Sequence, residues 1–254
     1  MTGEPSTSRR STIGRAFAVL GSFDAEHRRQ SLSSISRRTN LPMTTVHRLV
    51  HELEAQTALV RVSDGDYEMG SRVWRLGILS SVHAELREVA LPYMEDVYEY
   101  SGGAVQIVVP DGLRCLVVER IAGSRSMEVL SKPGTRLPLH ATGVGKVLLA
   151  LGEQSIHDAV FGALERYTPH TITNAEELRK QLRTIAKRGY AQTSEELVAG
   201  AKSIAVPVRG RSGLAVAALG VVSAQDVAAL APLVRALQVT ADALSQKLIS
   251  SGWQ

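Results

Sequence analysis

The sequence predicts an α+β protein made of two unlike parts, and three observations carry that reading. Short amphipathic helical stretches in the first third are followed at once by two extended runs around Asp64-Gly65. Ser101-Gly-Gly103 then closes a further helical stretch, and beyond it β-rich runs alternate with helices and tight turns without an internal repeat. A length of 254 residues also exceeds one domain of average size. With 44% apolar and 21% charged residues and a mean hydropathy of zero, most of the chain can bury a core, which excludes disorder as its general state. No run of 18 apolar residues occurs, and the polar opening MTGEPSTSRR has no apolar segment behind it. The expectation is a cytoplasmic protein with neither a membrane span nor a recognisable export signal. A single cysteine, Cys115, excludes an intramolecular disulfide and a cysteine-rich zinc site, so no metal or other cofactor is expected.

Residues 1–10 offer almost nothing to bury and read as a disordered arm. From Ile13 to Phe23 apolar residues recur at helical spacing. Ser31 is a suitable cap for a second helix that buries Leu32 and Ile35, and Asn40-Leu-Pro42 ends it, because asparagine accepts a left-handed turn and Leu41 precedes proline. Met43 to Ala55 forms a third helix with Val46, Leu49, Val50 and Leu53 in one stripe and Thr44, Thr45, His47, Arg48 and His51 on the opposite face. Residues 58–62 and 67–69 make a hairpin around Asp64-Gly65. Helix-turn-helix followed directly by a hairpin is a winged helix-turn-helix, placed at 11–70. Ser71 to Val82 reads as a linker helix with more apolar surface than a free linker exposes, so it should pack on something, a partner subunit being one candidate.

Charge supports that placement. Residues 1–50 carry eight arginines against Glu4, Asp24 and Glu26, a net +5 in a chain whose total is +4. A basic segment on an otherwise balanced chain is the footprint of a module that touches phosphates. Thr44, Thr45, His47 and Arg48 are candidates for reaching DNA, with Arg15, Arg37 and Arg38 on phosphates and Arg61 on the hairpin.

The second part, 83–254, begins with a helix at 90–100. Residues 104–109 and 115–118 form two antiparallel strands about a Pro-Asp-Gly turn, and 126–130, 203–208 and 214–222 add β-rich runs. Helices are expected at about 144–151, 155–163, 174–188 and 224–250. The most distinctive stretch is Leu137-Pro-Leu-His-Ala-Thr-Gly-Val-Gly-Lys-Val-Leu-Leu-Ala150. His140 and Val147 stand where a phosphate-binding P-loop needs glycine and a hydroxyl residue, and Leu148 occupies the third glycine position of a dinucleotide loop. What remains is a glycine turn opening a helix, whose free N–H groups suit a carboxylate or phosphate oxygen, or else a tight helix-to-sheet approach. No spacing joins His140 to a nucleophile, and Glu195-Glu196 reads as a pair on a solvated loop, so no catalytic residue is assigned. The histidines show no metal-ligand spacing.

From about residue 11 onward the chain resembles the IclR family of bacterial transcriptional regulators. The resemblance rests on the winged helix followed, in order, by LPLHATGVGKVLLA at 137–150, Arg188-Gly-Tyr190, Glu195-Glu196 and Gly200-Ala-Lys-Ser-Ile-Ala-Val-Pro207. It implies a winged helix on operator DNA, a linker helix, and a GAF-like mixed α/β domain that binds a small, often aromatic, organic acid. It also implies a homodimer or dimer of dimers that represses a catabolic or transport operon. Carried onto this chain, the effector site falls at Leu137, Gly143, Val144, Gly145, Thr193, Ala201, Ser203, Gly220 and Val222. Serine at 203 and threonine at 193 depart from the cysteine and acidic residue frequent in the family. Gly220 and Val222 replace serines found in some members, which implies a roomier and more apolar pocket than the smallest acids need. The alternative reading is an enzyme acting on a small acid and tethered to DNA by its first part.

Overall fold

A computed structural model describes residues 11–24, 27–77, 79, 83–123, 131–224 and 227–253. The expected arm at 1–10 and strand at 126–130 lie outside them. Contacts divide the chain into two compact units, Met1–Ser81 and Val82–Gln254.

In the first unit α1 (Thr12–Leu20), α2 (Leu32–Thr39) and α3 (Met43–Ala55) precede β1 (Leu59–Arg61), β2 (Tyr67–Met69) and α4 (Ser71–Gly77). Local chemistry sets the helix limits. Ser11 Oγ accepts from Gly14 N at 3.0 Å, and Ser31 Oγ from Ser34 N at 3.2 Å, each satisfying an N–H that the first helical turn leaves open. Asn40 ends α2 at φ 55°, the left-handed conformation that asparagine tolerates. α1 stops three residues short of the predicted Phe23, because Ser22 turns its hydroxyl onto Val19 O at 2.7 Å. Val19, Ile35, Val46, Leu49, Val50, Leu59 and Tyr67 form the core of this unit. The hairpin pairs Arg61 with Tyr67, and Gly65 supplies φ +83° at its tip. Gln30 and Tyr67 exchange backbone hydrogen bonds at 3.0 and 2.9 Å, adding an isolated bridge to β2 that sequence patterning does not reveal.

The second unit contains α5 (Ala84–Ser101), β3 (Ala104–Asp111), β4 (Arg114–Ile121), β5 (Arg136–Pro138), α6 (Gly143–Leu151), α7 (His157–Phe161), α8 (Ala175–Arg188), β6 (Ala191–Ser194), β7 (Lys202–Arg209), β8 (Ala215–Ser223) and α9 (Val227–Ser251). The six strands among its described residues run in the order β5-β4-β3-β8-β7-β6, each antiparallel to its neighbours. Strand alternation divides the core by face. Val105, Ile107, Ile204, Val206 and Leu219 meet buried residues of α5 and α9, while Val108, Ala205 and Ala218 meet those of α6 and α8. Three layers result, helices on both sides of one sheet. α5 starts six residues before the predicted 90, since Leu86 and Ala90 continue the buried stripe of Met94 and Val97. The expected helix at 155–163 is a 3-10 turn at Gln154–Ile156 leading into α7. β5 and β6 are the two strands missed; both lie at sheet edges and are too short for an apolar pattern.

Candidate functional site

Two sites emerge, one in each unit. On the first, the buried stripe of α3 turns Val46, Leu49 and Val50 inward. Thr44, His47, Arg48 and His51 are then exposed and Thr45 half-buried, so hydroxyls, imidazoles and a guanidinium share the outer face. Arg48 Nη1 lies 2.6 Å from Glu52 Oε1 one turn on, an exposed pair that keeps the guanidinium extended along the helix. The supporting arginines differ in what holds them. Arg37 is exposed, and the Nε of half-buried Arg15 has no hydrogen-bond partner among the described residues. Arg38 instead donates to Ser22 O at 2.9 Å and to Asp24 Oδ2 at 2.5 Å, so its guanidinium is spent on the segment following α1 rather than held out for phosphate. Arg61 is exposed on β1 and lies over the hairpin tip, with Nη2 3.7 Å from where a side chain at Gly65 would begin.

In the second unit a cavity of about 40 Å³ lies against the first turn of α6. Six of the predicted effector residues line it: Leu137, Gly143, Thr193, Ala201, Ser203 and Val222. Strand register explains the grouping, because Thr193 pairs with Ser203 and Ser203 with Val222, which puts one row of β6, β7 and β8 on the α6 face. Thr193 Oγ1 and Ser203 Oγ are 2.7 Å apart and hydrogen-bonded.

The remaining three predicted residues take other parts. Gly145 N is not free: it donates to Thr142 Oγ1 at 3.1 Å. A Cβ at Gly145 would stand 2.4 Å from Leu139 O, so this glycine exists for close packing. Gly220 leaves no room for a ligand, since a Cβ there would meet Val144 Cγ1 at 2.7 Å. Val144 fills that gap and seats α6 on the sheet. Among the described residues, the N–H groups of Gly143 and Val144 are the pair at this helix start to which no hydrogen bond is assigned.

The cavity is also more polar than expected. Gln106, Ser131, Thr142, Glu196 and Lys202 line it as well. Glu196 does not sit on a solvated loop: it is buried, and both its carboxylate oxygens lie 2.5 Å from Nζ of the fully buried Lys146. Burial holds the Lys146 ammonium below the ordinary lysine range, while the Glu196 charge opposes that shift. The Glu196 carbonyl further accepts from Thr171 Oγ1 at 2.6 Å, so α6 and the 165–171 loop both fix the 195–201 segment beside the cavity. Lys146 and Glu196 stand 50 positions apart, and no local spacing could pair them. His140 is buried, with Nε2 2.8 Å from Glu165 O and its ring 5.8 Å from that of Tyr167. Its position is structural. Burial pushes the Cys115 thiol up to about 12, which makes it a poor nucleophile.

Comparison with known proteins gives a family for both units. A family model described as the IclR helix-turn-helix domain matches residues 12–63, and one described as the bacterial transcriptional regulator IclR C-terminal domain matches 79–246. The fold is similar to that of an IclR homolog from Microbacterium hydrocarbonoxydans complexed with 4-hydroxybenzoate, with a TM-score of 0.84 and 33% identity over 94% of this chain and 100% of that one. The HTH-type transcriptional regulator XynR of Escherichia coli is 29% identical over 243 residues, 93% of this chain and 96% of XynR. The HTH-type transcriptional repressor AllR of Escherichia coli is 29% identical over 212 residues, 82% of this chain and 78% of AllR.

Proposed function

The chain belongs to the IclR family of bacterial transcriptional regulators, and from that premise we propose that it is an effector-responsive repressor which α3 places on operator DNA and a small organic acid releases. The observation that carries the effector half is the cavity at the start of α6, where Gly143 lines a partly polar chamber at the positive end of the helix and the N–H of Val144 follows it in the same first turn. A monoanionic carboxylate suits that end. The cavity as it stands has room for a few water molecules, so a small acid fits directly and a ring requires the 195–201 segment to shift outward. The ligand named for the Microbacterium homolog supports the ring-sized option, and the repressor name of AllR supports the sign of control.

The DNA half rests on the outer face of α3, with Thr44, Thr45, His47 and Arg48 as base readers and Arg15, Arg37 and Arg61 on phosphates. The protein acts as a homodimer or a dimer of dimers in the cytoplasm, where operator DNA lies. Trp74, Leu76 and Leu79 on and just after α4 are 67%, 61% and 77% exposed, a patch that a second subunit would cover. Its regulated operon is catabolic or transport-related.

Selection from a random-sequence duplex pool by the full-length protein tests the reading. The expected product contains two related half-sites. Small carboxylates should then weaken binding to the selected duplex, as differential affinity for two states requires. Enrichment of no sequence, or of one unpaired site, refutes the DNA half; indifference to every acid refutes the effector half.

A further inference from the structure

Among the described residues, Gln106 and Ser131 are the two of the cavity wall with a buried side-chain oxygen left unanswered. Gln106 is 4% exposed and Ser131 1% exposed, both line the cavity, and neither Gln106 Oε1 nor Ser131 Oγ has a hydrogen-bond partner among the described residues. A buried polar atom without a partner costs stability, so such atoms gathered on one cavity point to an occupant that supplies the missing bonds.

Their placement says where that occupant is polar. Gln106 lies on β3, in register with Gly220 of β8, which in turn faces Ala205 of β7. The anion end, by contrast, belongs to β7 and α6: a side chain at Gly143 would begin 2.6 Å from Ser203 Oγ and 3.5 Å from Ala205 Cβ. β3 and β7 flank β8, so two strand spacings, roughly 10 Å, separate the Gln106 backbone from the Ser203 strand. One cavity thus has an N–H-rich end at the start of α6 and a second polar group at Gln106 two strands away, with Ser131 on the same wall. Glu196 adds no free charge between them, because Lys146 neutralises it.

We propose that Gln106, seconded by Ser131, is the specificity-determining residue of this cavity, and that it selects acids carrying a hydroxyl group remote from the carboxylate. The inference rests on the cavity being the effector site. The hydroxyl donates to Gln106 Oε1 and accepts from Ser131 Oγ, while the carboxylate takes the Gly143 and Val144 N–H groups. A plain acid of the same skeleton leaves both protein groups unpaired and is rejected for that reason.

Calorimetry on the full-length protein tests this with matched probes: propanoate against 3-hydroxypropanoate, and benzoate against its 3- and 4-hydroxy derivatives. At least one hydroxylated acid is expected to bind about tenfold or more tightly than its parent. In Gln106→Leu, and independently in Gln106→Met, that preference falls to about twofold or less, because the hydroxyl loses its partner and the plain acid no longer strands one. The ligand-free variants melt at or above the parent protein, since a buried unpaired polar group has been removed. Equal binding of plain and hydroxylated acids, or a preference that survives both substitutions, overturns the proposal alone. A large fall in melting temperature in both variants overturns it too, by making Gln106 a structural residue. If no acid binds, the effector reading of the cavity fails and this inference fails with it.

Discussion

Replacing Lys146 by methionine probes the deepest polar feature of the fold. Lys146 is fully buried and Glu196 is 6% exposed, with both carboxylate oxygens 2.5 Å from the ammonium. Methionine keeps an unbranched chain of similar length but strands the carboxylate in the interior. Removing one partner of a buried ion pair costs about 3–5 kcal/mol, most of it the penalty of an uncompensated charge rather than the worth of the pair. The double variant Lys146→Met with Glu196→Leu should therefore recover most of the loss, since well-packed apolar side chains replace such pairs at little cost. Urea unfolding followed by fluorescence measures this, with Trp74→Phe as background so that Trp253 reports on the second unit. A loss below about 1 kcal/mol in the single variant, or a double variant no more stable than the single, would show that the pair is not the clamp described.

Three further outcomes follow from the same structure. Arg48→Ala should cost about 1–3 kcal/mol of operator binding and leave the melting temperature unchanged, whereas Arg38→Ala, which removes the bonds to Ser22 O and Asp24 Oδ2, should cost about 1 kcal/mol of stability; gel shift and thermal melts on both variants separate the two roles, and unchanged operator affinity in Arg48→Ala rejects it as a base reader. Arg61→Ala should reduce the slope of log affinity against log salt by about 1, and an unaltered slope makes the hairpin purely structural. The raised thiol value of Cys115 keeps it protonated in the fold at a pH where the unfolded chain has lost that proton, so the folded state loses stability as pH rises from 9 toward 12. Cys115→Ala should lack up to about 4 kcal/mol of that loss; parallel stability curves for the two proteins would mean the thiol is not shielded.

The sequence by itself determined what short-range chemistry controls. Helical spacing, the Ser31 cap, the left-handed Asn40 and the Asp64-Gly65 turn define the winged helix, because each acts within four residues and the outer face of α3 is simply what its buried stripe leaves behind. Glycines at 143 and 145 likewise announce a helix start pressed against something. Tertiary structure decided what each glycine is for. Gly145 packs on Leu139, Gly220 is filled by Val144, and only Gly143 reaches the cavity, distinctions that depend on how α6 settles on β7 and β8. Pairings across long stretches of chain were equally invisible: Arg38 with Asp24, Lys146 with Glu196, and the convergence of Gln106 and Ser131 on one chamber. Spacing along a chain specifies which face of an element a residue occupies, but which elements meet there is set by sheet order and burial, and a charge or an amide acquires its role only from the partner, or the lack of one, that packing brings to it.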